Sequence, residues 1–347
     1  MLPLTDFIHR MPKVELHVHL EGSIGPETLL QLAQRNGVKL PADSVEALRQ
    51  WYLFTDFAHF IEIYLTVSSC ICTPEDIELI AREFLRGQAA QRICYSEVTY
   101  TPYTHFSRNR QIPFATQLES LSRAREWAAA ELGVEVGWVF DIVRNQAPSE
   151  HSLQVAEWAI SGKSRGVVAL GLGGLEAGHP PEWFQEAFAR ALRAGLGSVP
   201  HAGEMAGAES VRGALDFLQA QRLGHGVRCL EDPDLVHLLR ERQVPLEVCP
   251  SSNVCLGIAP NLAEHPLPRL LDAGLYVTIN SDDPALFNTT LTDEYLRIAA
   301  AFGYQVEMIE RLVLNGVRAS LLPESARLQM EQEFRREFDE LRAELPG

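Results

Sequence analysis

The 347-residue sequence has no uncharged apolar run long enough for a membrane span. Mean hydropathy is near zero at −0.06, as expected of a chain built to sit in water. Residues 1–10 include Asp6 and Arg10 but no apolar stretch ending in a small-residue cleavage site, so no export leader is expected and the cytoplasm is the expected compartment. The six cysteines, Cys70, Cys72, Cys94, Cys229, Cys249 and Cys255, form no C-x-x-C pair, and several sit in strand-like segments; reduced thiols are expected. Positive charge is also scarce. Thirty Lys and Arg against 46 Asp and Glu leave a net charge of −16, with no basic stripe for a nucleic-acid backbone. A small, uncharged or weakly charged ligand fits better. Finally, the first strand-like run is not followed by a glycine-rich phosphate turn. That position reads His19-Leu20-Glu21-Gly22, which argues against a doubly wound open sheet.

What is present is a regular alternation. Apolar runs rich in Val, Ile and Leu recur at 14–20, 93–100, 134–143, 167–174, 197–204, 222–227, 245–253 and 276–284. Between them, segments such as 115–132, 183–194, 210–219 and 232–240 show helical periodicity. Eight β/α units predict an α/β fold, a closed parallel (β/α)8 TIM barrel, forming one domain over 1–347. The interval 26–91 is too long for one crossover helix and predicts a helical insertion between the first two strands. In it Trp51, Phe54, Phe57, Phe60, Ile61 and Tyr64 recur at helical spacing, either as simple core packing or as a cap over the barrel mouth. The chain beyond Thr292 reads as helices, ending in a charged, solvated face at 331–344.

Four short stretches carry the chemistry, each at the end of a strand-like run. Residues i and i+2 of a strand face the same way, so His17 and His19 can grip one metal ion from one side. His201 ends the fifth run and Asp282 the eighth, and the C-terminal ends of barrel strands converge on one mouth. Three imidazoles and a carboxylate there would hold one ion and leave a position for water. Nitrogen ligands favour zinc over magnesium, although iron or cobalt could bind the same set. A binuclear site with a bridging modified lysine is not expected, because no lysine lies on the fourth run; Lys163 precedes it. Zinc-bound water is acidic enough to supply hydroxide near neutral pH. His225 and Asp283 are the groups placed to orient and deprotonate it, His225 having the alternative role of a fourth histidine ligand. Glu204, three residues after His201, is assigned as proton donor to the substrate, which requires burial to keep its carboxyl protonated. The turn Gly171-Leu172-Gly173-Gly174 leaves backbone amides open to a ligand.

In combination, His17-Val18-His19-Leu20-Glu21-Gly22, His201-Ala202-Gly203-Glu204 and Ser281-Asp282-Asp283-Pro284 resemble the adenosine deaminase family of metal-dependent amidohydrolases, over residues 12–320. The resemblance implies a (β/α)8 barrel in which hydroxide attacks C6 of an adenine ring, Glu204 protonates N1, and ammonia leaves. It further implies that His225 orients the hydroxide, that the Gly174 amide meets N3, and that Asp283 meets N7. His19 and Glu21 would complete the substrate site. Two positions depart from typical adenosine deaminases. Glu21 replaces an Asp that touches the ribose, and Leu175 replaces an Asp after Gly174.

The segment 54–64, with Gly171-Leu172-Gly173-Gly174, looks like aminodeoxyfutalosine deaminases of the menaquinone pathway, whose substrate is an adenosine with a carboxyphenyl ketone at its 5′ end. An aromatic cap suits that group, and Arg108 or Arg110 would face its carboxylate. Adenine deaminases share His-Leu-Glu-Gly, so the free base is the competing substrate. The competing reading of another class is a non-catalytic nucleoside-binding member of the family.

Overall fold

The computed structural model describes residues 3–54, 57–107, 111–146 and 150–344, apart from the side chains of Phe57 and Glu150. Phe57 in the aromatic stripe, and the carboxylate contact expected of Arg108 or Arg110, therefore lie outside the described residues. Eight strands form one parallel sheet in sequence order: β1 (Lys13–His19), β2 (Ile93–Tyr100), β3 (Glu135–Val143), β4 (Val167–Gly173), β5 (Gly197–Ala202), β6 (Leu223–His225), β7 (Leu246–Val248) and β8 (Val277–Ile279). Helices such as Phe114–Glu131, Gln185–Arg193, Ala208–Leu218 and Pro233–Arg242 return the chain between strands, which is what the alternating periodicities predict.

The last three strands are shorter than their apolar runs. After β7 the chain turns into the helix Pro250–Cys255, with Pro250 at its first turn, where a missing N–H costs nothing. Beyond β8, Asp282 takes a left-handed backbone conformation (φ 64°), which ends extended pairing. β5 ends at Ala202 because Gly203 is also left-handed (φ 74°).

The barrel closes through a thin seam. β8 meets β1 by a single bridge, Val18 to Asp282, in which the His19 amide donates to the Asp282 carbonyl (2.8 Å) and the Asp282 amide to the His17 carbonyl (3.2 Å). One turn lower a side chain replaces the ladder. Asn280 Oδ1 accepts from the amides of Leu16 (2.9 Å) and His17 (3.1 Å), while its Nδ2 donates to Thr278 Oγ1 (3.0 Å).

Most apolar burial lies between the sheet and its helices. Val139, Ala169 and Val199 form a small separate cluster, and Asp141 and His201, two residues further along their strands, share that face. The same interior carries a buried ionic ladder: Arg222 bonds both Glu97 and Glu247 and donates to the Ala319 carbonyl (3.0 Å).

Among the described residues the insertion holds four helices, Pro26–Asn36, Val45–Trp51, Phe57–Ser69 and Pro74–Ala90. Phe57–Ser69 lies against the Glu21–Ser23 turn after β1, and Phe60 stacks on Phe287 (5.3 Å between centroids), just beyond β8. Phe60 of the aromatic stripe is thus core, with Trp51, Phe54, Ile61 and Tyr64 partly buried against it. At the other end, Glu324–Arg342 buries Phe334, Phe338 and Leu341 and exposes most of its charges. The six cysteines are free, and among the described residues no helix is long and apolar enough to cross a membrane.

The seam makes a direct prediction. Asn280→Ala leaves two buried amides without an acceptor and is expected to lower unfolding free energy by roughly 2–4 kcal/mol in urea titrations. Unchanged stability would show that the ladder closes without the side chain.

Candidate active site

The strand ends deliver the expected histidines to one place. His19 closes β1 and His225 closes β6, His201 is next to last in β5, and Asp282 follows β8. One nitrogen from each of His17, His19 and His201 and one Asp282 oxygen all lie within 4.8 Å of one another. Asp282 Oδ1 stands 3.3 Å from His19 Nε2 and 3.5 Å from His17 Nε2, and His19 Nε2 lies 3.2 Å from His201 Nε2. His225, Cys249, His17 and Asp282 form a second, overlapping donor set.

The electrostatics of the first set call for a cation. Burial pulls the pKa of His17 down, but Asp282 and Glu247 outweigh it and lift the net value to about 10; His19 is lifted to about 9 against the same burial by Asp283 and Asp282. His201 is instead driven well below its ordinary value, by burial and then by His17 and His19. Three imidazoles cannot all be protonated within this radius, and His17 Nε2 is buried with no hydrogen-bond partner among the described residues. A divalent ion satisfies both the orphaned lone pair and the carboxylate. Behind it, Glu247 Oε2 lies 2.9 Å from His17 Nδ1 and fixes that ring.

Glu204 and His225 face the same centre. Their closest approach is 3.5 Å, from His225 Nε2 to Glu204 Oε1. The Glu204 side chain is only 14% exposed, which excludes a plain surface glutamate. Burial first, then the charges of Asp282 and Glu176, raise its pKa well above the carboxylate range, which favours the protonated form. Burial and Asp282 likewise raise Asp283, to about 8, and burial lowers His225 to about 4. His225 and Asp282 both hold left-handed backbones (φ 59° and 64°), conformations that non-glycine residues adopt at a cost of about 1–2 kcal/mol.

Two glycines are required by close approach. A Cβ on Gly22 would collide with the Asp283 carboxylate, so the Gly of His-Leu-Glu-Gly makes room for a site residue. Gly174 is left-handed (φ 85°), and a Cβ there would stand 2.8 Å from Asn145 Oδ1. Glu21 is buried, with Oε1 accepting from the Thr101 amide (3.1 Å) and paired with His105 Nε2 (2.8 Å). Its Oε2 has no hydrogen-bond partner among the described residues. Leu175 is exposed.

The structure adds residues that motif reading passed over. Glu176 is buried and gathers four amides: its Oε1 accepts from Gly203 (2.6 Å), and its Oε2 from Glu204 (3.1 Å), Met205 (2.8 Å) and Ala206 (2.8 Å). It thereby pins the loop that carries Glu204. Buried Arg144 donates to the His201 carbonyl from the same side. Asp141 sits beside His19, with its pKa raised to about 6, chiefly by burial. The sequence signal for Asp141 and Glu247 was a charge flanked by apolar residues inside a strand-like run.

A parallel α/β barrel with a buried histidine–carboxylate cluster at the C-terminal ends of its strands defines a metal-dependent barrel hydrolase. The chain belongs to the adenosine deaminase family, whose model matches residues 12–336, and is a hydrolase acting on C–N bonds. It is 43% identical over 330 residues to an aminodeoxyfutalosine deaminase of Streptomyces coelicolor, covering 94% of this chain and 84% of that one. It is 42% identical over 298 residues to an adenine deaminase of Trichlorobacter lovleyi, covering 86% and 84% respectively. An amidohydrolase from Burkholderia ambifaria, solved with bound Zn, superposes with a TM-score of 0.91 at 26% identity, covering 99% of this chain and 95% of that one. The donor cluster and that bound ion together support a divalent metal.

Glu176→Gln provides one acceptor oxygen where the carboxylate serves four amides. It is expected to cost roughly 2–4 kcal/mol and to reduce turnover, read by thermal melting and by steady-state kinetics. Wild-type stability would mean that the loop is held elsewhere.

Proposed function

We propose that the chain is a zinc-dependent hydrolytic deaminase of a 6-aminopurine nucleoside, forming the hypoxanthine product and ammonia. The observation that carries this is the pairing of a three-histidine, one-carboxylate cluster with a buried carboxyl, Glu204, beside it, whose pKa burial raises. His17, His19, His201 and Asp282 would hold the ion, which when bound supplies an acidified water near neutral pH. Glu204 delivers a proton to ring N1, making C6 electrophilic. Asp283, whose raised pKa keeps it protonated, donates to N7, and the Gly174 amide donates to N3. His225 orients the attacking water. Each purine edge that accepts a hydrogen bond then meets a donor.

For the substrate, the reading is adenosine or a 5′-extended adenosine such as aminodeoxyfutalosine, supported by the 43% identity to the deaminase of that compound and by the aromatic cap. The second reading is free adenine. The 42% identity to an adenine deaminase favours it.

Rates on adenine, adenosine, 2′-deoxyadenosine and aminodeoxyfutalosine, read by the shift from an adenine to a hypoxanthine ultraviolet spectrum, separate these. Inactivity of the zinc-loaded protein on all four would sink the assignment. Glu204→Gln is expected to lower kcat by about 10²–10⁴-fold with the metal content unchanged. Because only the protonated Glu204 can donate, wild-type activity should fall as pH rises through its raised pKa, and chelation should abolish activity until zinc is restored.

A further inference from the structure

The hydrogen bonds behind the two innermost imidazoles run in opposite senses. His17 Nδ1 faces a carboxylate, Glu247 Oε2, at 2.9 Å. A carboxylate only accepts, so Nδ1 carries the proton and Nε2 is left bare for a metal. His225 Nδ1 faces instead the amide nitrogen of Asn253, at 3.3 Å. Asn253 Oδ1 lies 3.0 Å from His265 Nε2, and His265 Nδ1 lies 3.0 Å from the backbone nitrogen of Leu267.

The sense of this chain is set at its far end. A backbone N–H can only donate, so His265 Nδ1 accepts and the ring's proton sits on Nε2. That proton needs an oxygen, which turns Asn253 Oδ1 toward His265 and Nδ2 toward His225. His225 Nδ1 then accepts as well, and its own proton sits on Nε2. His225, Asn253 and His265 are 0%, 0% and 3% exposed, so solvent does not scramble the order.

We infer that Asn253 and His265 are positioning residues that lock His225 as its Nε2–H tautomer, a hydrogen-bond donor into the site and neither a metal ligand nor a base. Of the two overlapping donor sets, the one containing His225 would need a bare Nε2, and a bare Nε2 would put a proton on Nδ1 against the Asn253 amide hydrogens. Service as a base meets the same donor-to-donor conflict. His225 Nε2 has no hydrogen-bond partner among the described residues, so its proton is free for the attacking water or its product. Burial, which lowers His265 to about 4, agrees with a neutral ring at the head of the relay. The catalytic meaning of this lock rests on the deaminase reading; the tautomer does not.

The test reads the tautomer itself. In zinc-loaded protein labelled with 15N-histidine, long-range proton–nitrogen NMR, assigned by the signals lost in His225→Gln, is expected to show a protonated Nε2 and a bare Nδ1. A bare or metal-shifted Nε2 would overturn the inference. Asn253→Asp puts an acceptor behind the ring. The two nitrogen signals should exchange, and kcat should fall about 10²–10⁴-fold with KM within about threefold and zinc content unchanged. His265→Leu frees Asn253 to turn and should cost about tenfold, while His265→Gln, which restores an N–H toward Asn253 Oδ1, should recover most of it. Unexchanged signals and near wild-type kcat in Asn253→Asp would also overturn the inference. A wild-type protein inactive on every 6-aminopurine would overturn the deaminase reading alone, since the NMR result needs no turnover.

Discussion

The closing bridge between the first and last strands is the constraint on which the site depends. The backbone of Asp282 bonds on both sides of Val18, to the His17 carbonyl and the His19 amide, so its carboxylate is delivered to the two imidazoles of β1. One residue supplies the last link of the barrel and the acidic member of the donor cluster. This explains its left-handed backbone: pairing must stop there for the side chain to turn inward. It also explains Gly22, which leaves room for Asp283 at the same junction. Fold closure and site assembly are one event at this seam.

Behind the mouth, a polar interior does the aiming that apolar packing does elsewhere. Arg222 compensates Glu247, which lies between that guanidinium and His17, while Glu176 holds the Glu204 loop by four amides. A buried carboxylate behind an imidazole makes a ligand, and a buried amide makes a donor. Two histidines whose ring centroids are 4.9 Å apart are given different chemistry by whether Glu247 or Asn253 stands behind them.

Much of this was legible from the chain. Alternating apolar runs announced eight β/α units, and the i, i+2 spacing of His17 and His19 announced two groups on one strand face. Strand ends were harder to read. The seventh and eighth runs, read to 253 and 284, overshoot strands that end at Val248 and Ile279, and nothing local shows that Pro250 opens a helix or that a side-chain amide takes over the ladder. Glu176, Asn253 and His265 gave no motif signal, because their importance lies in hydrogen bonds to backbone or rings distant in sequence.

The sequence by itself determined the barrel, the family and which histidines and carboxylates meet at the strand ends, because periodicity and strand-end position are local properties that a parallel barrel converts into convergence. Tertiary structure decided which protons those side chains carry. Burial and neighbouring carboxylates raise the pKa of Glu204, and the Leu267 amide, acting through His265 and Asn253, sets the proton on His225. Protonation and tautomer depend on what stands behind each group in three dimensions, and residues far apart along the chain supply it.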